Sequence, residues 1–435
     1  MGFDARVFWR LALINIASNL TTPLASLIDA MFLGHLQRVE SLAGAALGSV
    51  IFDYLYWSLG FLRMSILGLT AQASGSGERQ RMQEQFVQAF LFALLLGGLL
   101  FVFHPWWGEL AFSLLQGEEA TKRAAWNYFR GRIVSSPWVL ANMVIMGWLL
   151  GLGRSAAVLR MTALANLAHI GMAYLLVTRL SWGSFGAGRA SAFGDAAMSL
   201  AALPSLIGRD SPLGKAFWRS RWWRASYLAA LFRLQRDLFL RSLGMTTLLA
   251  LFTNIGASLG AVILASNTLL FRVYTSVAYI SDGGAYAVET LTGRYAGAGE
   301  RAAIRKLFVL ALAAALAFTT LVALGLLWMP RPLFGTMTHH EQVIAQALAD
   351  RFWLCALLLV GAAAWIYDGL HLGLTQGKAL RDSMAWSVAA AAPLLWFAAT
   401  RRSNDWLWAA LLLFTTLRSL TLAWAARPWL RRWGR

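Results

Sequence analysis

Apolar runs of 18 to 29 residues follow one another along the chain, each closed by charged, glycine or proline positions. A helix needs about 20 apolar residues to cross the hydrocarbon core of a membrane. The pattern therefore predicts twelve transmembrane helices, over 7–33, 45–73, 86–103, 124–151, 160–178, 186–207, 236–257, 264–292, 306–328, 348–373, 381–399 and 406–426. The first, Val7 to Leu33, is too long for the apolar region of a signal peptide and is kept as a span. One long polar connection divides the twelve six and six. The predicted fold is all-α and integral to the membrane: two pseudo-symmetric six-helix bundles, an N-terminal lobe over 1–207, a cytoplasmic linker over 208–235 and a C-terminal lobe over 236–435.

An internal repeat supports that division. Leu42 to Val87 aligns without gaps on Leu264 to Val309, an offset of 222 positions, with eleven identities. Six of them fall in LTAQASGSGER against LTGRYAGAGER. The glycine pairs resemble a nucleotide-binding loop only superficially, since no strand precedes them and no Lys-Ser or Lys-Thr follows. They read as turns between spans. An even number of helices per repeat gives both halves one topology, a pattern found in transporters.

Composition narrows the class. Of 435 residues, 58% are hydrophobic and only 13% charged, whereas soluble domains carry about 25% charged residues. The net charge of +18 would suggest nucleic acid in a soluble protein, but Lys and Arg concentrate at the N-terminus, in the even-numbered connections and in the C-terminal tail. The positive-inside rule then places both termini in the cytoplasm and leaves nucleic acid unneeded as a partner. The linker, with RDSPLGKAFWRSRWWRASY, reads as an amphipathic segment on the cytoplasmic membrane surface. Cys355 is the only cysteine, which excludes an internal disulfide and a cysteine-rich metal site. HExxH, GxSxG and the P-loop are absent, so neither an enzyme nor an ATP-driven pump is expected, and no cofactor or metal. Small organic solutes and membrane lipids are the expected partners of a monomer.

PLASLIDAMFLG, residues 23 to 34, carries the first candidate chemistry. Asp29 is the only ionisable side chain between Arg10 and His35, and an aspartate within a span costs about 2.5–3.5 kcal/mol on insertion scales. At 100° per residue Asn15, Asn19, Thr22, Ser26 and Asp29 share a stripe about 80° wide, with Pro23 inside it. Lipid cannot satisfy such a face, so it must meet other helices or a wet cavity. A carboxylate that ionises to attract a cation and takes a proton to release it is sufficient chemistry for exchanging protons against a cationic solute. A hydrogen-bonded seam between helices is the plainer reading of the Asn and Ser positions.

Span 8 carries a second set, with Arg272, Thr275, Ser276, Tyr279, Asp282, Tyr286 and Glu289 within about 140° of helix. Asp282 and Glu289 lie two turns apart on one face, and Arg272 could neutralise one of them. In span 10, Asp368 and His371 of WIYDGLHLG stand one turn apart as a proton-relay or hydrogen-bonded pair. Arg63 and Arg418 are read as balancing acids inside the membrane. Trp57, Trp148 and Trp365 are candidates for a cavity wall that would attract organic cations. Asp53, Asp195, His339 and His340 are placed near the interfaces and given no chemistry.

These residues resemble the MATE (multidrug and toxic compound extrusion) family, and most closely its DinF branch. The matching stretches run nearly end to end: PLASLIDAMFLGHL, LGFLRMSILGLTAQASG, MGWLLGLG, AYISDGGAYAVETLTGRYAGAG, WIYDGLHLGLT with LRDSM, and TLRSLTLA. The resemblance implies a twelve-helix, two-lobed efflux antiporter of a bacterial inner membrane, exporting amphipathic, often cationic compounds against H⁺ or Na⁺ by alternating access. It implies that Asp29 is the main cation-linked carboxylate, that Asp368 matches an acid tied to ion coupling in related branches, and that Asp282 is typical of the DinF branch. With Glu289, the last two would form an acid cluster in the C-terminal lobe.

Two departures bear on coupling. Ile14 stands in LALI where relatives have a proline. Span 5 of relatives reads N-x-x-N-x-x-x-D; here NLAHIGMA keeps Asn166 but has His169 and Ala173 in place of the second Asn and the Asp. A Na⁺ ion, which wants several hard oxygens, is less well served, and His169 could itself titrate. Coupling to H⁺ is the expectation, with Asn15, Asn19 and Asn166 shaping the N-terminal cavity. A flippase for lipid-linked precursors, from the same larger superfamily, is the alternative; a membrane-embedded hydrolase is a more distant one.

Overall fold

The computed structural model describes residues 2–34, 39–113, 118–206 and 225–430, with the side chains of 22–30, 34, 39, 225–228 and 230 outside that description. Helices α1 (Ala5–Gly34), α2 (Val39–Leu59), α3 (Phe61–Gly75), α4 (Arg79–Val102), α5 (His104–Ser113), α6 (Glu119–Arg132), α7 (Ser136–Gly151), α8 (Ser155–Ala173) and α9 (Gly183–Leu206) make up the first half. The second half holds α10 (Ala225–Leu259), α11 (Ala261–Gly297), α12 (Arg301–Trp328), α13 (Pro330–Met337), α14 (Glu341–Gly373), α15 (Gly377–Arg401) and α16 (Asn404–Leu430). Ten helical stretches among the described residues are long and apolar enough to cross a membrane. Helices α1 and α9, of 30 and 24 residues, lie over the first and sixth predicted spans and are not among those ten.

The helices run past the apolar runs that announced them. The α12 helix begins at Arg301 rather than 306, α14 at Glu341 rather than 348, and α10 at Ala225, inside the stretch read as linker. Residues 208–224 of that stretch lie outside the described residues. Span 2 is interrupted at Gly60, between α2 and α3. Span 4 carries a 3₁₀ turn at Ile133–Ser135, just before Pro137, which cannot donate a helical hydrogen bond. Span 5 ends in a wide turn over Tyr174–Arg179, where Leu180 N–H bonds the Leu175 carbonyl at 2.9 Å.

Contacts divide the chain into two compact units, Ala17–Arg233 and Met1–Ile16 with Leu234–Arg435. The start of α1 groups with the second half because Phe8, Leu11 and Ala12 are buried in one apolar cluster with Val288, Leu291, Ile304, Leu307 and Leu370. In the first unit an aromatic cluster surrounds Phe129 of α6, whose ring stacks on Phe52 at 5.5 Å and on Trp126 at 5.3 Å and meets Trp107 edge-on at 5.1 Å.

The 222-residue repeat extends into packing. In the first unit, Gly147 and Gly151 of α7 let that helix close on α3. A Cβ on Gly147 would overlap the Arg63 carbonyl oxygen, and one on Gly151 would stand 2.7 Å from that of Leu67. In the second, Gly369 and Gly373 of α14 close on α11, each with its Cβ position 2.5 Å from a carbonyl oxygen, of Ala285 and of Glu289. All four positions and all four partners are related by the same offset. Small residues four apart allow such close approach where lipid supplies no hydrophobic drive between helices. The repeated turns match too, with Gly77 at φ 74° and Gly299 at φ 77°, a conformation glycine adopts without strain. In the first of them the Ser76 hydroxyl bonds Glu78 at 2.9 Å, and with Arg81 it holds the Glu78 carboxyl below the usual carboxylate range.

Candidate functional site: polar clusters inside the two units

In the second unit, α14 brings Asp368 between two cations. Its Oδ2 accepts a hydrogen bond from Arg241 Nη2 of α10 at 2.6 Å and another from Arg418 Nη2 of α16. Asp368 is 7% exposed and Arg418 6%, so the three charges lie away from water. Asp282 of α11 acts electrostatically on Arg418, and the Tyr274 hydroxyl lies within the field of Arg418, Asp282 and Asp368. The sequence reading missed Arg241, which fell in a basic stretch accounted for by topology. A single arginine in the first turns of a predicted span gives no signal of an acid 127 residues away. Arg272, by contrast, is exposed and forms no ion pair among the described residues.

Asp368 and His371 are one turn apart but serve different partners. The His371 ring is fully buried, its Nδ1 2.6 Å from Gln376 Oε1 and its Nε2 2.9 Å from the Leu422 carbonyl oxygen. The expected proton relay between them is replaced by a structural bridge from α14 to α16. Glu289 is fully buried, its backbone against Gly373. Asp282, Tyr279 and Tyr286 are half-buried along the same helix.

A second network in this unit was not foreseen. Asn267 and Asn404 exchange side-chain hydrogen bonds at 2.8 and 3.2 Å, Trp408 Nε1 donates to Asn267 at 2.9 Å, and Asn404 donates to Asp350 at 2.8 Å. With Gln346 also donating to Asp350 at 2.9 Å, the buried acid has two amide donors and reads as a lock between α11, α14 and α16.

The polar stripe of α1 meets helices on both sides of the unit boundary within that helix. Asn15 is buried and donates to the Gly283 carbonyl at 3.4 Å, where α11 approaches closely enough that a Cβ on Gly283 would stand 2.6 Å from Ile16 N. Asn19 is half-buried. In the first unit, Asn166 of α8 donates to the Thr21 carbonyl at 3.2 Å, and Ser18 and Thr162 share a hydrogen bond at 3.2 Å. Asp29 and Ser26 lie on α1, but their side chains are outside the described residues.

The first unit holds a cluster to which the sequence reading gave no chemistry. Arg132, at the end of α6, donates to the Tyr128 hydroxyl at 2.7 Å and lies 5.0 Å over the Phe52 ring. Asp53 of α2 and Asp195 of α9 both lie in its field. Asp195 is half-buried, with its Oδ2 sealed from solvent, and His169 of α8 acts on it electrostatically. The Asp195 backbone carbonyl accepts from Asn142 at 2.8 Å, and Asn142 accepts from Ser199 at 2.7 Å. The tryptophan expectation also needs correction. Trp148 is fully buried against Phe86 at 5.2 Å, and Trp365 is buried against Tyr274 at 5.8 Å, so packing accounts for both, while Trp57 is exposed.

The chain was compared with known proteins. The MatE family model matches residues 15–175 and 238–365. DNA damage-inducible protein F of Escherichia coli K12 is 34% identical over 449 aligned residues, covering 98% of this chain and 92% of that one. A probable multidrug resistance protein NorM of Chromobacterium violaceum is 24% identical, covering 86% of each. Among solved structures, a MOP superfamily transporter from Pyrococcus furiosus superposes with a TM-score of 0.88 over 98% of this chain and 96% of that one, at 16% identity. An outward-facing multidrug resistance MATE transporter of the same superfamily gives the same values.

Proposed function

The chain belongs to the MATE family of membrane transporters, and on that premise we propose that it is a secondary antiporter exporting amphipathic organic cations in exchange for H⁺. The observation that carries the reading is the set of ionisable groups on apolar helices, with Asp282, Glu289 and Asp368 on helices long and apolar enough to span a membrane and Asp29 on the 30-residue α1. Ionisable residues in such helices mark ion and solute pathways.

Asp29 is the exchanged carboxylate in this reading. Ionised, it attracts the organic cation; protonated, it releases it. Asn15, Asn19 and Asn166 fix the course of α1 beside it, two of them through hydrogen bonds to neighbouring backbone. Two features favour H⁺ over Na⁺. Span 5 offers His169 and Ala173 rather than amide and carboxylate oxygens, and Na⁺ binds by hard oxygen ligands. Asp368, held by two arginines, serves as a fixed negative charge, leaving Asp282 and Glu289 as the exchangeable acids of the second unit. The protein works as a monomer in a bacterial inner membrane, with both termini in the cytoplasm.

A flippase for anionic lipid-linked precursors is the second reading, favoured by the two guanidiniums that share one carboxylate at Asp368. Export of a fluorescent organic cation from proteoliposomes under a pH gradient alone tests the first. No export under pH or Na⁺ gradients, with movement of an anionic lipid instead, would select the second.

A further inference from the structure

We propose that Asp195 is a second proton-exchanging carboxylate of the first unit, poised between the Arg132 guanidinium and the His169 imidazole. The inference rests on the H⁺-antiport reading and adds a residue to it. It places on α9 the acid that α8 lacks at Ala173.

Geometry leaves Asp195 with reasons for both protonation states. Arg132 favours the ionised form by its charge, while the Ser135 hydroxyl of the 3₁₀ turn is engaged with the Arg132 carbonyl at 2.9 Å. Yet Arg132 donates to Tyr128 Oη and lies with its face over Phe52, and its Nε, sealed from solvent, has no hydrogen-bond partner among the described residues. Asp195 Oδ2 is equally sealed and accepts no hydrogen bond among the described residues. An ionised oxygen without a donor is unfavourable away from water, and a proton resolves it. Asp368 also has one sealed oxygen without a donor, but two guanidiniums donate to its other oxygen, a grip that Asp195 lacks among the described residues.

The charged and titratable groups facing it can be named element by element. Helix α6 presents Arg132 and Tyr128, α2 presents Asp53 and Tyr56, and α8 presents His169. Helix α7 offers the neutral Asn142. In the wide turn after α8, Arg179 is engaged with Tyr174 at 2.9 Å, and on α9 itself Arg189 lies over Phe185 at 5.3 Å. Positioning is tight. A Cβ on Gly194 would stand 3.0 Å from His169 Cβ, so α8 and α9 are in contact at the residue before Asp195. The Asn142 bond to the Asp195 carbonyl fixes the backbone on the α7 side.

Infrared difference spectra of the full chain in liposomes, recorded between acidic and neutral pH, read the protonated carboxyl C=O band directly. Asp195→Asn is expected to remove a component of that band that Asp29→Asn leaves in place, and Asp195→Glu to shift it. An Asp195→Asn spectrum identical to wild type overturns the proposal. If the Asn variant does not fold, an Asp195→Glu spectrum without a shifted component overturns it as well. In the transport assay, Asp195→Asn is expected to lose the wild-type pH profile of export, and an unchanged profile contradicts the proposal. Absence of pH-driven export by the wild type would instead refute the antiport reading, while the spectra still decide on Asp195.

Discussion

Arg241 of α10 donates to Asp368 of α14 at 2.6 Å across 127 positions of sequence, and Arg418 of α16 donates to the same oxygen. One acid thus ties three helices of the second unit. Breaking a buried ion pair by removing one partner costs about 3–5 kcal/mol, because the other charge is left unsatisfied. Arg241→Ala and Arg418→Ala should each lower the melting temperature in detergent. Asp368→Asn, which leaves two guanidiniums facing each other, should do so more. Because each single variant leaves Asp368 its other arginine and only the double leaves the buried acid without either, the double arginine variant should lose more than the two single losses added together. Full additivity would show that the three do not act as a unit.

The helix contacts made by glycine give a second prediction. Gly369→Ala and Gly147→Ala each push a methyl group into a carbonyl oxygen of the facing helix, and overpacking of this kind costs about 1–3 kcal/mol. Gly98→Ala and Gly284→Ala, with nothing within 4 Å of the added carbon, should leave thermal stability unchanged or slightly raised. Equal effects in the two pairs would contradict the packing account.

The Asn267–Asn404–Trp408–Asp350 network predicts a loss from a single uncharged substitution. Asn267→Ala removes the acceptor of Trp408 Nε1 and the partner of Asn404. Each buried polar group left unsatisfied costs about 1–3 kcal/mol. Thermal denaturation should show a clear fall, and Trp408→Phe combined with Asn267→Ala should recover part of it by removing the stranded donor.

At the turn after α3, Ser76→Ala should return the Glu78 carboxyl toward its ordinary value, read by NMR titration of labelled glutamate. The sign follows from the depressed value in the folded chain. The Glu78 contact contributes above the unfolded-state pKa and is lost as pH falls through the folded one. No change on substitution would remove Ser76 as the main cause.

Long-range order along the chain was legible because it rests on period and length. The series of spans, the division after the sixth and the repeat between LTAQASGSGER and LTGRYAGAGER all followed from local pattern. The same offset relates the glycine–carbonyl contacts of the two units, but only packing reveals those contacts. Pairings between distant charges were not legible. Arg241 reads as one more basic residue until α10 is set beside α14, and Asp195 reads as a residue of a small-residue helix until Arg132 and His169 converge on it. The i, i+3 spacing of Asp368 and His371 was misleading in the opposite way. Sharing a helical face does not make partners when neighbouring helices offer each side chain a better one.

Simultaneous recording of internal pH and of a fluorescent organic cation in proteoliposomes tests the central claim most directly, for wild type and Asp29→Asn. A pH gradient without Na⁺ should drive cation movement coupled to an opposite proton flux in the wild type, and neither flux should occur in the variant. Cation export that needs Na⁺, or that proceeds at the wild-type rate in Asp29→Asn, would contradict it.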